Sequence, residues 1–271
     1  MNRIRRGYVD APDGNQLHYR LSGPADGVPL VLIHQSPSSG AMWDPILPEL
    51  AARGYFAVAP DLIGHGASYS VDRLPALSEY ATSVWHVMDA LQVVHASLVG
   101  HHSGASIAIV MATQQPERIG ALALWGVPLM TPEREARLGG EGPPDWVHAE
   151  SWIGKRWEGR RLASGEGWTP EIGRRALVEH LQAGPNSQWL HNAVAQTPVE
   201  PLLPRVQQPM LTVCGELDTL YVESEEAARL APHGRFVPMH GTSLDVADQY
   251  GPEFVEIVDR FLRECGARSS R

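Results

Sequence analysis

Along this chain, short continuous apolar runs alternate with longer stretches in which apolar residues recur every third or fourth position. The short runs are PLVLIH at 29–34, FAVAPD at 56–61, SLVG at 97–100, IGALALW at 119–125 and PMLTVC at 209–214. Continuous rather than alternating apolar character predicts strands buried on both faces, as in a parallel sheet. Leu77, Tyr80, Ala81, Val84, Val87, Met88 and Leu91 share one helical face, which predicts an amphipathic helix. Further helices are predicted over 41–53, over 103–115, near 222–230, and at the chain's end, where Phe254, Val255, Ile257, Val258, Phe261 and Leu262 recur. The helix at 103–115 is almost wholly apolar, so it should lie against the sheet. A β-rich segment at 3–23, broken by the turn APDG at 11–14, and a strand at 235–238 complete the set.

Strands alternating with helices in this way predict an α/β fold. The expected form is a doubly wound, mostly parallel sheet of about eight strands with helices on both faces. The rhythm lapses between 126 and 208, a stretch rich in Trp, Gly, Pro and Arg, in which LGGEGPP at 138–144 reads as a loop. The expected organisation is therefore a core of residues 1–125 and 209–271 carrying an inserted helical cap at 126–208.

Composition narrows the function classes. A chain of 271 residues, 43% hydrophobic and 20% charged, is long enough for one such domain and is not disordered. The net charge is −9, from 22 Lys and Arg against 31 Asp and Glu. Such a surface repels polyanions, so no nucleic-acid partner is expected. Arg3, Arg5 and Arg6, and again Arg160 and Arg161, read as solvated surface. Cys214 and Cys265 give neither a disulfide framework nor a zinc spacing. Twelve histidines are present, but no pair has HExxH spacing, and no metal or other cofactor is expected. No apolar run approaches a membrane span, and the N-terminal residues lack the apolar core of a secretory signal. The expectation is a cytoplasmic protein with a small-molecule substrate, no membrane partner and, if it assembles, a homodimer.

Three loops follow the carboxyl ends of predicted strands, where open α/β sheets place ligands. They are His34-Gln35-Ser36-Pro37, Gly100-His101-His102-Ser103-Gly104 and Gly215-Glu216-Leu217-Asp218. The second passes directly from strand to helix, with a glycine two residues before His102 and another two residues after it. So sharp a turn strains its apex and requires small neighbours. The apex side chain projects over the sheet. The Ser103 N–H points at the same space and can stabilise an oxyanion.

The stretches LVLIHQSP, APDLIGHGAS, LVGHHSGAS and TVCGELD, with the terminal helix after GPEF, together resemble the α/β-hydrolase superfamily over nearly the whole chain outside 126–208. The resemblance implies an elbow G-x-nucleophile-x-G whose nucleophile is normally Ser, Asp or Cys. His102 stands in that slot, and Pro116-Glu117-Arg118 begins fourteen residues later, as the superfamily's own Pro-Glu-Arg motif does. Ser103 is an alternative, but His101 and Ala105 stand where its flanking glycines belong. Ser106, the other, would sit inside the helix. A decayed elbow with an inert His102 is the remaining alternative.

The resemblance also places the triad acid at Asp218, which otherwise reads as a turn or capping aspartate. Leu244 falls where the triad histidine belongs, and the nearest substitute is His240. The implied oxyanion hole is the N–H groups of Ser36 and Ser103. Gln35, in place of the commoner glycine, is a substrate-binding candidate with His34 and Trp125. Because an imidazole is longer than a serine side chain, His102 should reach the space of the missing histidine and bond Asp218 directly. Such a His–Asp dyad suits general acid–base or nucleophilic chemistry. The implied activity is hydrolysis of a small ester, thioester or lactone. The same dyad would also serve a lyase, cyclase, decarboxylase or isomerase, and a capped pocket without chemistry would bind a ligand. Trp146, Trp152, Trp157, Trp168 and Trp189 should pack the cap and in part line the pocket mouth, favouring an apolar or aromatic substrate.

Overall fold

The computed structural model describes residues 3–131 and 149–266. Eight strands form one sheet: β1 (Arg5–Asp10), β2 (Gln16–Ser22), β3 (Val28–Ile33), β4 (Tyr55–Pro60), β5 (Ala96–His101), β6 (Ile119–Trp125), β7 (Met210–Gly215) and β8 (Gly234–Met239). Their order is β1-β2-β4-β3-β5-β6-β7-β8. β2 runs antiparallel to β1 and β4, and every other neighbouring pair is parallel. The carboxyl ends of β3 to β8 therefore meet along one edge of the sheet.

The sheet is covered on both faces, and the strands show it. Val31, Ile33, Leu98, Leu122 and Leu124 pack with α2 (Leu77–Ala90) and α3 (Ser103–Gln114). The alternate residues Leu30, Leu32, Val99, Ala121, Ala123 and Trp125 pack with α1 (Leu47–Ala52) and the last helix. This two-sided burial is why the strand segments are apolar throughout.

The helix predicted over 41–53 is interrupted. A 3-10 turn at Gly40–Trp43 precedes α1. Pro45, which has no N–H and clashes with the preceding turn, separates them.

Between β6 and β7 lie α4 (Ala149–Ser164), α5 (Pro170–Ala183) and α6 (Asn186–Ala195). The predicted loop at 138–144 and Trp146 fall outside the described residues. Trp157 and Trp168 pack edge to face with ring centroids 5.5 Å apart. After β7 come α7 (Tyr221–Leu230), then β8, the short α8 (Val246–Gln249) and α9 (Gly251–Glu264). Among the described residues no helix is long and apolar enough to cross a membrane.

Polar contacts fasten the inserted helices to the sheet's carboxyl edge. Ser38 and Ser39 each donate to Glu179 on α5 at 2.7 Å, and Ser36 Oγ donates to Ser187 O at 2.7 Å. Arg175 donates to Asp248 at 2.7 Å. Arg160 pairs with Asp245.

Candidate active site

The elbow has the geometry its glycines require. His102 has φ +48° and ψ −111°, a conformation unfavourable for any residue with a Cβ. It is held there by its own N–H donating to Trp125 O at 2.8 Å. The neighbours must be small. A Cβ on Gly100 would stand 2.6 Å from Gly104 O, and one on Gly104 would stand 2.2 Å from Ile33 O. Ala105 and Ser106 N–H turn back to His102 O. That leaves the first two N–H groups of α3, those of Ser103 and Gly104, without an acceptor within the helix.

From this apex the imidazole reaches across the sheet edge to the loop after β7. His102 Nε2 lies 2.8 Å from Asp218 Oδ2. The carboxylate is held from three directions. Trp125 Nε1 donates to the same oxygen at 3.1 Å, and Leu220 N donates to Oδ1 at 2.9 Å. Burial pushes the Asp218 carboxyl up. The positive charge His102 can carry, its hydrogen bond, the Leu220 N–H and His101 outweigh that, and together they hold the carboxyl well below the usual carboxylate range.

The room for the ring comes from Gly126. A Cβ there would stand 2.4 Å from His102 Cδ2 and 2.6 Å from Nε2. Gly126 was not singled out in the sequence. Its signal was a glycine placed directly after a strand at the ligand edge.

His101, beneath His102, is wholly buried. The two rings lie 4.5 Å apart, and His101 also stacks on Trp125 at 6.2 Å. Its Nε2–H donates to Leu244 O at 3.0 Å, and its buried Nδ1 has no partner among the described residues. Burial, then the charge on His102, keeps it well below its ordinary value, so it is neutral near pH 7.

The expected oxyanion pair is adjacent but not open. Ser36 N–H donates to Ser103 Oγ at 2.8 Å, so the hydroxyl occupies the direction meant for an oxyanion.

Two proposed substrate contacts are corrected. His34 is fully buried and spent on backbone: Nε2 accepts from Leu62 N–H at 3.0 Å and Nδ1–H donates to Gln35 O at 2.8 Å. It holds two loops together. Trp125 is also fully buried, because strand alternation turns it into the core, where its indole serves Asp218.

His240 is not brought to the site. Its side chain is 82% exposed and its Nδ1 lies 2.8 Å from Glu216 Oε1. The short turn after β8 points it into solvent.

A cavity of about 600 Å³, in the range of small-molecule sites, opens over His102 and Asp218. Gln35, Ser36 and Leu244 contribute to its wall, with Trp152 and Arg160 from α4. Arg160, read from the sequence as solvated, is thus a buried-edge residue paired with Asp245. No group of three or more His, Cys, Asp or Glu among the described residues could hold a metal ion.

Comparison with known proteins agrees with this architecture. Residues 28–237 match the family model described as alpha/beta hydrolase fold. A 2-hydroxymuconate semialdehyde hydrolase from a Pseudomonas species is 38% identical over 108 residues, 37% of this chain and 36% of its own length. A haloalkane dehalogenase from Mycobacterium marinum is 34% identical over 115 residues, 40% of this chain and 37% of its own. The chain therefore spans well under two thirds of these curated relatives. The crystal structure of a hydrolase from Pseudomonas aeruginosa superposes with a TM-score of 0.79 at 26% identity, covering 95% of this chain and 98% of that one.

Proposed function

The chain belongs to the alpha/beta hydrolase fold family, and on that premise we propose that it hydrolyses a small ester, thioester or lactone with a His102–Asp218 dyad. In this reading residues 126–208 act as a cap over the pocket. The observation that carries it is the 2.8 Å contact between His102 Nε2 and Asp218 Oδ2.

A carboxylate only accepts, so Nε2 carries the proton and, in the neutral ring, Nδ1 keeps a lone pair. Nδ1 is the ring nitrogen nearer the backbone. It stands close to where a shorter nucleophile on the same elbow would end. Direct attack by Nδ1 would leave an acyl-imidazolium, with no proton placed for the leaving group. Water as nucleophile resolves this. Nδ1 takes one proton from water as its oxygen bonds to the carbonyl carbon. The resulting imidazolium is stabilised by Asp218. It returns that proton to the departing oxygen or sulfur as the carbon–oxygen or carbon–sulfur bond breaks. The oxyanion formed in between faces the start of α3 and the Ser103 N–H.

The absence of a hydroxyl or thiol at the elbow apex favours one further reading, proton abstraction beside a carbonyl without hydrolysis. The test is a panel of activated esters, thioesters and lactones. The expected result is turnover by the wild type and a loss of about 10²–10⁴ in Asp218→Asn. Exchange of substrate α-protons in D₂O without hydrolysis would select the second reading. Tight ligand binding that survives His102→Ala, with neither reaction, would replace both with a binding function.

A further inference from the structure

We propose that the carboxamide of Gln35 is the second oxyanion donor of this site, in place of the Ser36 backbone N–H. Gln35 would then touch the reacting carbonyl and be a catalytic residue. This deepens the hydrolytic reading of the pocket and rests on it.

A developing oxyanion is stabilised by donors that converge on one point. The Ser103 N–H at the start of α3 is one. Its expected counterpart, the Ser36 N–H, is directed at Ser103 Oγ, 2.8 Å away. The counterpart must come from elsewhere on the same wall.

The loop after β3 brings Gln35, Ser36, Pro37 and Ser38 to the cavity over His102 and Asp218. Proline has no donor. Ser36 Oγ donates to Ser187 O and Ser38 Oγ donates to Glu179, each at 2.7 Å. Gln35 is only 6% exposed. Its carbonyl accepts from His34 Nδ1–H at 2.8 Å and from Ser38 N–H at 2.9 Å. Its carboxamide has no hydrogen-bond partner among the described residues. Buried polar side chains are nearly always paired, so an unpaired amide in a cavity wall points to a ligand as its partner.

The residue type fits the task. The superfamily resemblance puts a glycine in this slot, yet the backbone does not need one. Apart from glycines, only Gln92 and His102 have positive φ among the described residues. What glutamine adds is a neutral group with two N–H donors. It springs from the residue directly before the Ser36 N–H, one peptide bond from the donor it replaces. Neutrality matters beside the dyad. A lysine or arginine here would oppose the imidazolium that forms when His102 takes a proton from water. As the water oxygen bonds to the carbonyl carbon, the carbonyl π pair moves onto oxygen and Gln35 Nε2–H donates to it. The amide gives up no proton, so it needs no resetting between turnovers.

The test uses two probes on the full chain: 4-nitrophenyl butyrate, and monoethyl butylphosphonate, which carries an anionic oxygen on a tetrahedral centre. Gln35→Met keeps the length of the side chain and removes its donors. It should lower kcat for the ester about 10²–10³-fold with KM within about threefold. Calorimetry should show phosphonate binding weakened about tenfold or more in the same variant. Gln35→Glu, which only accepts, should lose at least as much. Gln35→Gly should be equally impaired, and Gln35→Gly with Ser103→Ala should recover part of the loss, because the Ser36 N–H is then free. A purely structural role for Gln35 would not give that recovery. A kcat within about threefold of the wild type in Gln35→Met, or a fall carried wholly by KM, would overturn the proposal and leave hydrolysis by the dyad standing. A wild type that hydrolyses no ester, yet binds the phosphonate in a way that Gln35→Met weakens, would remove the proposed activity and leave the donor assigned. Neither turnover nor phosphonate binding by the wild type would remove both.

Discussion

Substituting Gly126 by alanine isolates the packing on which the His102 geometry depends. Gly126 has φ +61°, and a Cβ would lie 2.6 Å from His102 Nε2, the atom that bonds Asp218. The ring must therefore swing off the carboxylate. Gly165 separates this effect from backbone strain, since its φ is +62° and a Cβ there would meet nothing within 4 Å. Gly165→Ala should cost only the left-handed backbone penalty, about 1–2 kcal/mol. Gly126→Ala should cost the same plus the loss of a partly buried hydrogen bond to a charged group, about 2–3 kcal/mol more. At about 2–4 °C per kcal/mol for a chain of this size, Gly165→Ala should lower Tm by about 5 °C. Gly126→Ala should lower it by about 10 °C or more. Ester kcat/KM should fall about 100-fold in Gly126→Ala, as for a displaced catalytic group, and stay unchanged in Gly165→Ala. Equal Tm values together with full activity in Gly126→Ala would refute the claim that this glycine seats the imidazole.

Other outcomes follow from the same geometry. Ser103→Ala removes the hydroxyl that takes the Ser36 N–H. Freeing that donor should keep kcat within about tenfold, whereas a loss of about 10²–10³, the cost of deleting an oxyanion donor, would make the hydroxyl itself the donor. His240→Ala should leave ester kcat/KM unchanged, because the side chain is 82% exposed on Glu216; a marked loss would return His240 to the site. Stability should fall on mild acidification. Burial holds His65 at about 3, and burial likewise lowers His34 and His101 below 6.5. In that window the unfolded chain binds protons that the folded chain refuses. The stability is complete above about pH 6.5 and is lost as pH falls, by up to about 1.4 kcal/mol per pH unit for each histidine. Chemical denaturation at a series of pH values between about 8 and 5 reads this slope, and a flat profile would contradict it.

The core strands were legible because burial on both faces leaves an unbroken apolar run, as at Leu30 to Ile33 and Ala121 to Trp125. The elbow was legible because Gly100 and Gly104 answer to steric contacts that any chain making this turn must meet. What escaped depends on direction rather than residue type. Trp125 ends a strand at the ligand edge, but strand alternation sends it inward, a signal present in Ala121, Ala123 and Trp125. His34 ends its strand in the same way and is spent on backbone groups that only the folded loops supply. The pocket-facing side of α4 was hidden because helix periodicity is sought among apolar residues. Arg160 therefore passed for surface, although it shares a face with Trp152 and Arg156. The resemblance aimed the Ser36 N–H at the space beside the Ser103 N–H, whereas it is bonded to the Ser103 hydroxyl. That the Ser103 hydroxyl would intercept it depends on a rotamer, which no spacing rule reports.

The central claim is that His102 performs the chemistry of this elbow. It is tested most directly by hydrolysis of activated esters by the wild type, His102→Ala and His102→Ser. The account expects turnover by the wild type and a loss of about 10²–10⁴ in the alanine variant. Serine should give no recovery, since Leu244, which lines the pocket, is the residue that the resemblance puts in the place of the triad histidine. Activity retained in His102→Ala would contradict the account.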